Sequence, residues 1–179
     1  GTASSSTVLY GDQTYKTEPS GQITEGDAWR VVAAVNMSVA DTWTLVDAGV
    51  CWARVSGDGG GYFGTGLTES SGIFSFPSTG WWYIDYSFYL NSDSAADNYT
   101  GIGIFTTLND SSYDMAGTAL GYFTATTQNI QLSNNFLLDV TDVSNVKFKF
   151  MYNASSANNL VGDSGANQSN FAAIRLADT

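Results

Sequence analysis

Histidine is absent from these 179 residues, cysteine occurs once, at Cys51, and proline occurs twice. Lysine and arginine number 6 against 17 aspartates and glutamates, a net charge of -11. Each scarcity excludes something. One cysteine cannot make a disulfide framework. Without histidine and with a single thiol, a structural zinc site has almost no ligands. Ser-His-Asp and Cys-His catalysis both lack their base. Six basic residues cannot build the surface that displaces counterions from nucleic-acid phosphate, and an anionic membrane would repel so acidic a chain. No apolar run approaches the 18 residues a spanning helix needs. A start at Gly1 without a leader-like segment fits a processed product or a piece of a longer chain.

What remains points to β structure. The chain holds 10 Tyr, 10 Phe and 5 Trp, and 43% of its residues are hydrophobic. Aromatic and β-branched residues suit a pleated, half-buried surface, and the abundant Ser, Asn, Asp and Gly suit turns. A length of 179 residues is enough to bury a core without covalent help, since a globule of this size buries about 70% of its unfolded surface.

Residues 1–26 are poor in apolar side chains and read as an arm or linker. Residues 27–179 read as one folded domain in which short apolar runs alternate with turn clusters. The expected strands are 29–35, 43–46, 49–55, 62–68 and 72–76, then a run after Gly80, then 99–107, 117–124, 130–138, 146–152 and 171–176. The run after Gly80 has the clearest period of two: Trp82, Ile84, Tyr86, Phe88 and Leu90 share one face. The other face still carries Trp81, Tyr83 and Tyr89, which suggests an interface between subunits or a ligand platform. In 146–152, Val146, Phe148, Phe150 and Tyr152 share a face opposite Lys147 and Lys149. Residues 153–170 read as a long polar loop. No helix is expected. About ten antiparallel strands at this spacing predict a sandwich or jelly roll.

The segment Gly72-Ile73-Phe74-Ser75-Phe76-Pro77-Ser78-Thr79-Gly80-Trp81-Trp82-Tyr83-Ile84 resembles the central motif of C1q and tumour-necrosis-factor-like globular heads. Phe74, Pro77 and Gly80 match, and Trp82 stands where Tyr is usual. Gly162-Asp163-Ser164 and residues 167–176 resemble the closing loop and strand of such heads. Residues 29–35, Gly64 to Ser71, Asp110-Ser111-Ser112-Tyr113 and the run from Asp139 to Phe150 also resemble, in order, C1q-like domains of bacteriophage structural proteins, marine ones in particular. Residues 41–62 match neither pattern, and no collagen-like stem precedes the head. The resemblance implies a trimeric, ten-strand jelly roll on a virion fibre, spike or capsid protrusion, in contact with other virion proteins. It also implies attachment to a host-surface glycan or protein. The alternative is a monomeric, secreted β-sandwich carbohydrate-binding module whose exposed aromatics stack on sugars.

On these readings Trp81, Tyr83 and Tyr89 form the subunit interface. The ligand-contacting residues come from three loops, 91–98, 109–115 and 153–170: Asp93, Asp97, Asn98, Asp110, Tyr113, Asn158, Asn159 and Asp163. Calcium is the one metal whose oxygen ligands are plentiful, at Asp93, Asp97 and Asn98 or at Asp139 and Asp142, although the EF-hand spacing is missing. A glycosidase needs two carboxylates about 5–10 Å apart with one of them desolvated. The pairs Asp93/Asp97, Asp110/Asp114 and Asp139/Asp142 sit instead in turn sequences where Asp bonds to nearby amides. No enzymatic activity is expected. Cys51 reads as a small buried hydrophobe.

Overall fold

The computed structural model describes residues 2–4, 7–9, 11–17, 23–37, 40–47, 49, 51–57, 59–92, 97–156 and 158–179. Among them are sixteen strands and no helix: β1 (Thr7–Leu9), β2 (Tyr15–Thr17), β3 (Gly26–Val31), β4 (Val35–Met37), β5 (Thr44–Leu45), β6 (Trp52–Arg54), β7 (Tyr62–Phe63), β8 (Thr68–Ser70), β9 (Ile73–Ser75), β10 (Gly80–Ser92), β11 (Asp97–Thr107), β12 (Asp114–Phe123), β13 (Asn129–Val140), β14 (Lys147–Ala154), β15 (Asn158–Leu160) and β16 (Asn170–Ala177).

The alternation in β10 organises the domain. Its even positions, Trp82 to Leu90, are buried without remainder, while its odd positions are exposed or half-buried. The strand is paired along both edges. On one side β13 runs antiparallel from Gly80↔Val140 to Asn91↔Asn129. On the other, β16 covers its first half and β15 its last three residues. Beyond β16 come β3, then β6 and β7; beyond β15 comes β4. These eight strands form sheet one. Sheet two runs β12-β11-β14-β9-β8, with β5 also on β14. From β9 onward the chain crosses to sheet one for β10, back for β11 and β12, over for β13, back for β14, and over again for β15 and β16. That antiparallel winding of two sheets is the jelly roll the sequence predicts. β1 and β2 make a two-stranded sheet of their own.

The expected strands are present, with β10 longer at its C-terminal end because Asn91 pairs with both β13 and β15, and Ser92 pairs with β15 and donates its amide to the Gln128 carbonyl. The expected strand 29–35 divides into β3 and β4, and 62–68 into β7 and β8. The long polar loop 153–170 contains β15, whose Leu160 is fully buried. Three-residue ladders of this kind exist because a neighbouring strand accepts them, and they are too short to show a period.

Between the sheets lies an aromatic core. Trp52 is its hub: its ring centroid lies 5.2 Å from Phe74, 5.6 Å from Phe171 and 5.8 Å from Phe150. Its indole N–H donates to the Val46 carbonyl at 2.8 Å. Phe148 stacks on Phe74 at 5.1 Å, and Phe150 packs against Tyr86 and Phe88 at the same distance. Such pairs contribute about 0.5–1.5 kcal/mol each beyond their buried area. The Cys51 thiol is buried beside this hub and donates to the Val46 carbonyl at 3.8 Å. Gly80 opens β10 with φ 136°, and any side chain there would strike the Ala177 carbonyl.

Burial pushes the Tyr86 phenol from 10.0 up to about 12. A group whose folded value lies above its unfolded one stabilises the fold below the unfolded value and withdraws that support as pH rises toward the folded one. Stability is therefore expected to fall between about pH 10 and pH 12, and the fall should be shallower in Tyr86→Phe. Denaturant unfolding across that range checks it; identical slopes for the two proteins would remove Tyr86 from the account.

Candidate functional site

The outer face of sheet one gathers the candidate interface. The pairings place Leu137 beside Tyr83, Tyr83 beside Ile174, Ile174 beside Gly26, and Gly26 beside Phe63. These five residues make one row across β13, β10, β16, β3 and β7, about 20 Å wide at the usual strand spacing. The Phe63 ring lies over Gly26, where a side chain would collide with it. Trp81 adjoins the row at 39% exposure, Leu137 at 49% and Phe63 at 48%. Singly exposed apolar residues are ordinary, but a continuous apolar row on a pleated face marks a contact surface.

Of the three expected interface aromatics, Trp81 and Tyr83 join this row and Tyr89 does not. Between them lie Asp85 and Ser87, paired with Asn135 and Ser133. Tyr89 pairs with Gln131, whose amide donates to the Ser87 hydroxyl at 2.7 Å. Six residues of strand separate Tyr83 from Tyr89, about 20 Å. Leu137, Ile174 and Phe63 were not singled out from the sequence. Their membership depends on register between strands far apart in the chain, which has no local signal.

The three expected ligand loops do not share one surface. The described residues of 91–98 and of 153–170 lie at the end of the sandwich where β10 finishes and β11 begins. Residues 109–115 lie at the opposite end, where β11 passes to β12, and there Asp110 donates its backbone amide to Asn145 in the turn before β14. Asp93 lies outside the described residues, as do the side chains of Asp97 and Asn98. Asn158 is 1% exposed in β15 and so is not offered to solvent; Asn159 is half-buried beside it. The Asp163 carboxylate accepts from the Gly165 amide at 2.7 Å and the Gln168 side chain at 3.2 Å, which ties its loop to itself.

At the other end, Asp110 and Tyr113 do come together, and they meet two lysines. The Asp110 carboxylate lies 2.5 Å from Lys147 Nζ, and Lys149 Nζ lies 4.1 Å from the Tyr113 ring centroid. Burial pushes the Tyr113 phenol up and the Lys149 ammonium down. The Asn109 side chain holds the turn by accepting from the Ser111 and Ser112 amides, each at 3.0 Å. Asp142 accepts from the Ser144 amide at 2.7 Å and from Asn145 at 2.7 Å; these bonds, the Ser144 amide first, lower its carboxyl below the usual range. Asp139 lies on the outer face of sheet one, opposite Trp81. Among the described residues no three of His, Cys, Asp and Glu converge as metal ligands would.

In the segment 41–62, which matched no pattern, Trp52 and Trp43 have clear places. Trp52 is the core hub described above. Trp43 covers the outer face of sheet two, edge-on to Phe105 at 5.4 Å and directly over Gly103.

The winding, the two antiparallel sheets and the aromatic core define a jelly roll of the tumour-necrosis-factor type. Among solved structures the chain is similar to the Eiger TNF of S. frugiperda, with a TM-score of 0.63 and 11% identity over 88% of this chain and 96% of that one. It is similar also to murine APRIL, with a TM-score of 0.59 and 10% identity over 85% of this chain and 98% of that one. No family model and no curated protein sequence matches the chain.

Proposed function

We propose that this chain is a non-enzymatic assembly and attachment domain. Three copies pack through the outer face of sheet one, and the assembly presents its loop ends to a host-surface glycan or protein. The apolar row Leu137-Tyr83-Ile174-Gly26-Phe63, with Trp81 beside it, carries this reading, because a single chain leaves Leu137, Phe63 and Trp81 exposed and Tyr83 and Ile174 only half-buried. A stable partner typically covers about 800 Å² per subunit, and a row five strands wide can supply the centre of such a patch. The likeness to C1q and TNF heads implies three copies in place of two. The ordered resemblance to bacteriophage structural domains favours a virion fibre, spike or capsid protrusion, with other virion proteins as neighbours. Attachment through several weak contacts then gains from valency. The low charge and the many Ser, Asn, Thr and Tyr side chains suit adaptable polar recognition by loops.

Light scattering behind a sizing column tests the assembly. The expected mass is that of three chains. A mass of one chain would overturn it and turn Trp81 and Tyr83 into candidates for a monomeric sugar platform.

A further inference from the structure

A second site lies on sheet one, where β3 passes the glycine-rich loop after β6. A cavity of about 300 Å³ is lined by Arg30, Ser56, Gly57, Gly59, Gly60 and Asn167, among others. This volume is at the lower end of small-molecule sites and holds one compact group. The lining is mostly polar, and three of the six are glycines, two of them left-handed at φ 83° and 80°. A loop without side chains lets a ligand approach the backbone closely.

Arg30 sets the chemistry. Four other cations find partners among the described residues: Arg54 holds Asp27, Lys147 holds Asp110, Arg175 holds Asp178, and Lys149 lies over Tyr113. Among the described residues, no carboxylate or aromatic ring partners Arg30. Its Nε is shielded from water and has no hydrogen-bond partner, while the side chain forms part of the cavity wall. An unmet buried N–H on a charged group is costly, and its natural complement is a charged acceptor. The guanidinium fork matches a carboxylate or a sulfate with two parallel bonds.

We propose that the Arg30 cavity binds a compact oxyanion, a carboxylate or sulfate group, with Arg30 as its charged donor and Ser56 and Asn167 as polar neighbours. The net charge of -11 repels anions at a distance, so the attraction acts only at contact and affinity falls in the millimolar range, about 1 mM being worth about 4 kcal/mol. The site asks nothing of a second copy, so it stands or falls separately from the assembly.

Three arginines occur in the chain, Arg30, Arg54 and Arg175, so their Nε–H signals can be followed individually by NMR. Titration with methyl glucuronide and with inorganic sulfate separates the two anion types, and methyl glucoside is the neutral control. The expected result is a saturable shift of the Arg30 signal with at least one anion and none with the glucoside. Arg30→Gln should weaken the response of nearby amides at least about tenfold, and Arg30→Lys should retain part of it. The amide spectrum of each variant reports that it is folded. No saturable shift with either anion overturns the proposal, as does an undiminished response in Arg30→Gln. Asp58, between Gly57 and Gly59, lies outside the described residues; a response in Asp58→Asn but not in the natural chain would identify Asp58 as the occupant and also overturn it.

Discussion

Replacing Asp27 by alanine is expected to destabilise the domain by about 3–5 kcal/mol, the usual result of removing one partner from a buried ion pair. The Asp27 side chain has no solvent exposure. It accepts from Arg54 Nε and Nη2, each at 2.9 Å, and from the Leu67 amide at 2.8 Å. Arg54 is fixed in turn: its guanidinium lies 4.8 Å from the Trp29 ring and 4.3 Å from the Tyr62 ring, and Nη2 donates to the Leu67 carbonyl at 2.7 Å. Asp27, by its hydrogen bond, holds the Arg54 guanidinium above its usual range. Without the carboxylate, a cation and a backbone amide lose their acceptor together. β3, β6 and the segment leading to β8 are joined through this one group, so the loss is not confined to one turn. Domains of this size shift their melting point by about 2–4 °C per kcal/mol, so a drop of about 10 °C is expected in thermal unfolding. Asp110→Ala is the comparison. Asp110 is 45% exposed in its pair with Lys147, and exposed pairs contribute about 0–1 kcal/mol. Equal losses from the two substitutions would show that Asp27 is not a staple.

On the proposed threefold packing, the combined substitution Tyr83→Glu and Leu137→Glu is expected to convert three chains to one while leaving the domain folded. The two residues are direct partners in the β10–β13 ladder, on the face away from the core. One chain tolerates a carboxylate there because both side chains already reach water. A threefold assembly would have to desolvate six of them, each at a cost of several kcal/mol. Light scattering reads the mass, and circular dichroism reads the fold. Leu120→Glu is the control: Leu120 is exposed on the outer face of sheet two, and its substitution should leave the mass of three chains intact. If both variants keep the parental mass, the interface lies on a different face from the apolar row.

Much of the molecule is legible in the sequence. The period of two in 82–90 and in 146–152 gave the correct buried face of β10 and β14, because each such strand has one side on the core and the alternation is local. The absence of histidine and of a second cysteine bounded the chemistry by elimination. The motif around Phe74, Pro77 and Gly80 carried the jelly roll. The candidate site was legible only in part. Trp81 and Tyr83 stood out because they break the polar side of a strand, but that same cue selected Tyr89, which a polar band separates from them. The three polar loops looked equivalent in sequence, yet their described residues divide between opposite ends of the sandwich, since strand direction decides which loops are neighbours.

The sequence by itself determined what kind of structure this is: all-β, acidic, with alternating strands and a turn chemistry that takes up Asp12, Asp47, Asp142 and Asp163. Only the tertiary structure decided which residues from distant strands share a surface. Leu137, Ile174 and Phe63 meet Tyr83 through ladder register, Asp27 meets Arg54 across 27 positions, and Arg30 meets no carboxylate among the described residues. Hydrophobic alternation is written within a few residues and can be read there. Register, pairing order and the partnering of charges arise from contacts between segments far apart in the chain, and those are fixed only when the two sheets close on one core.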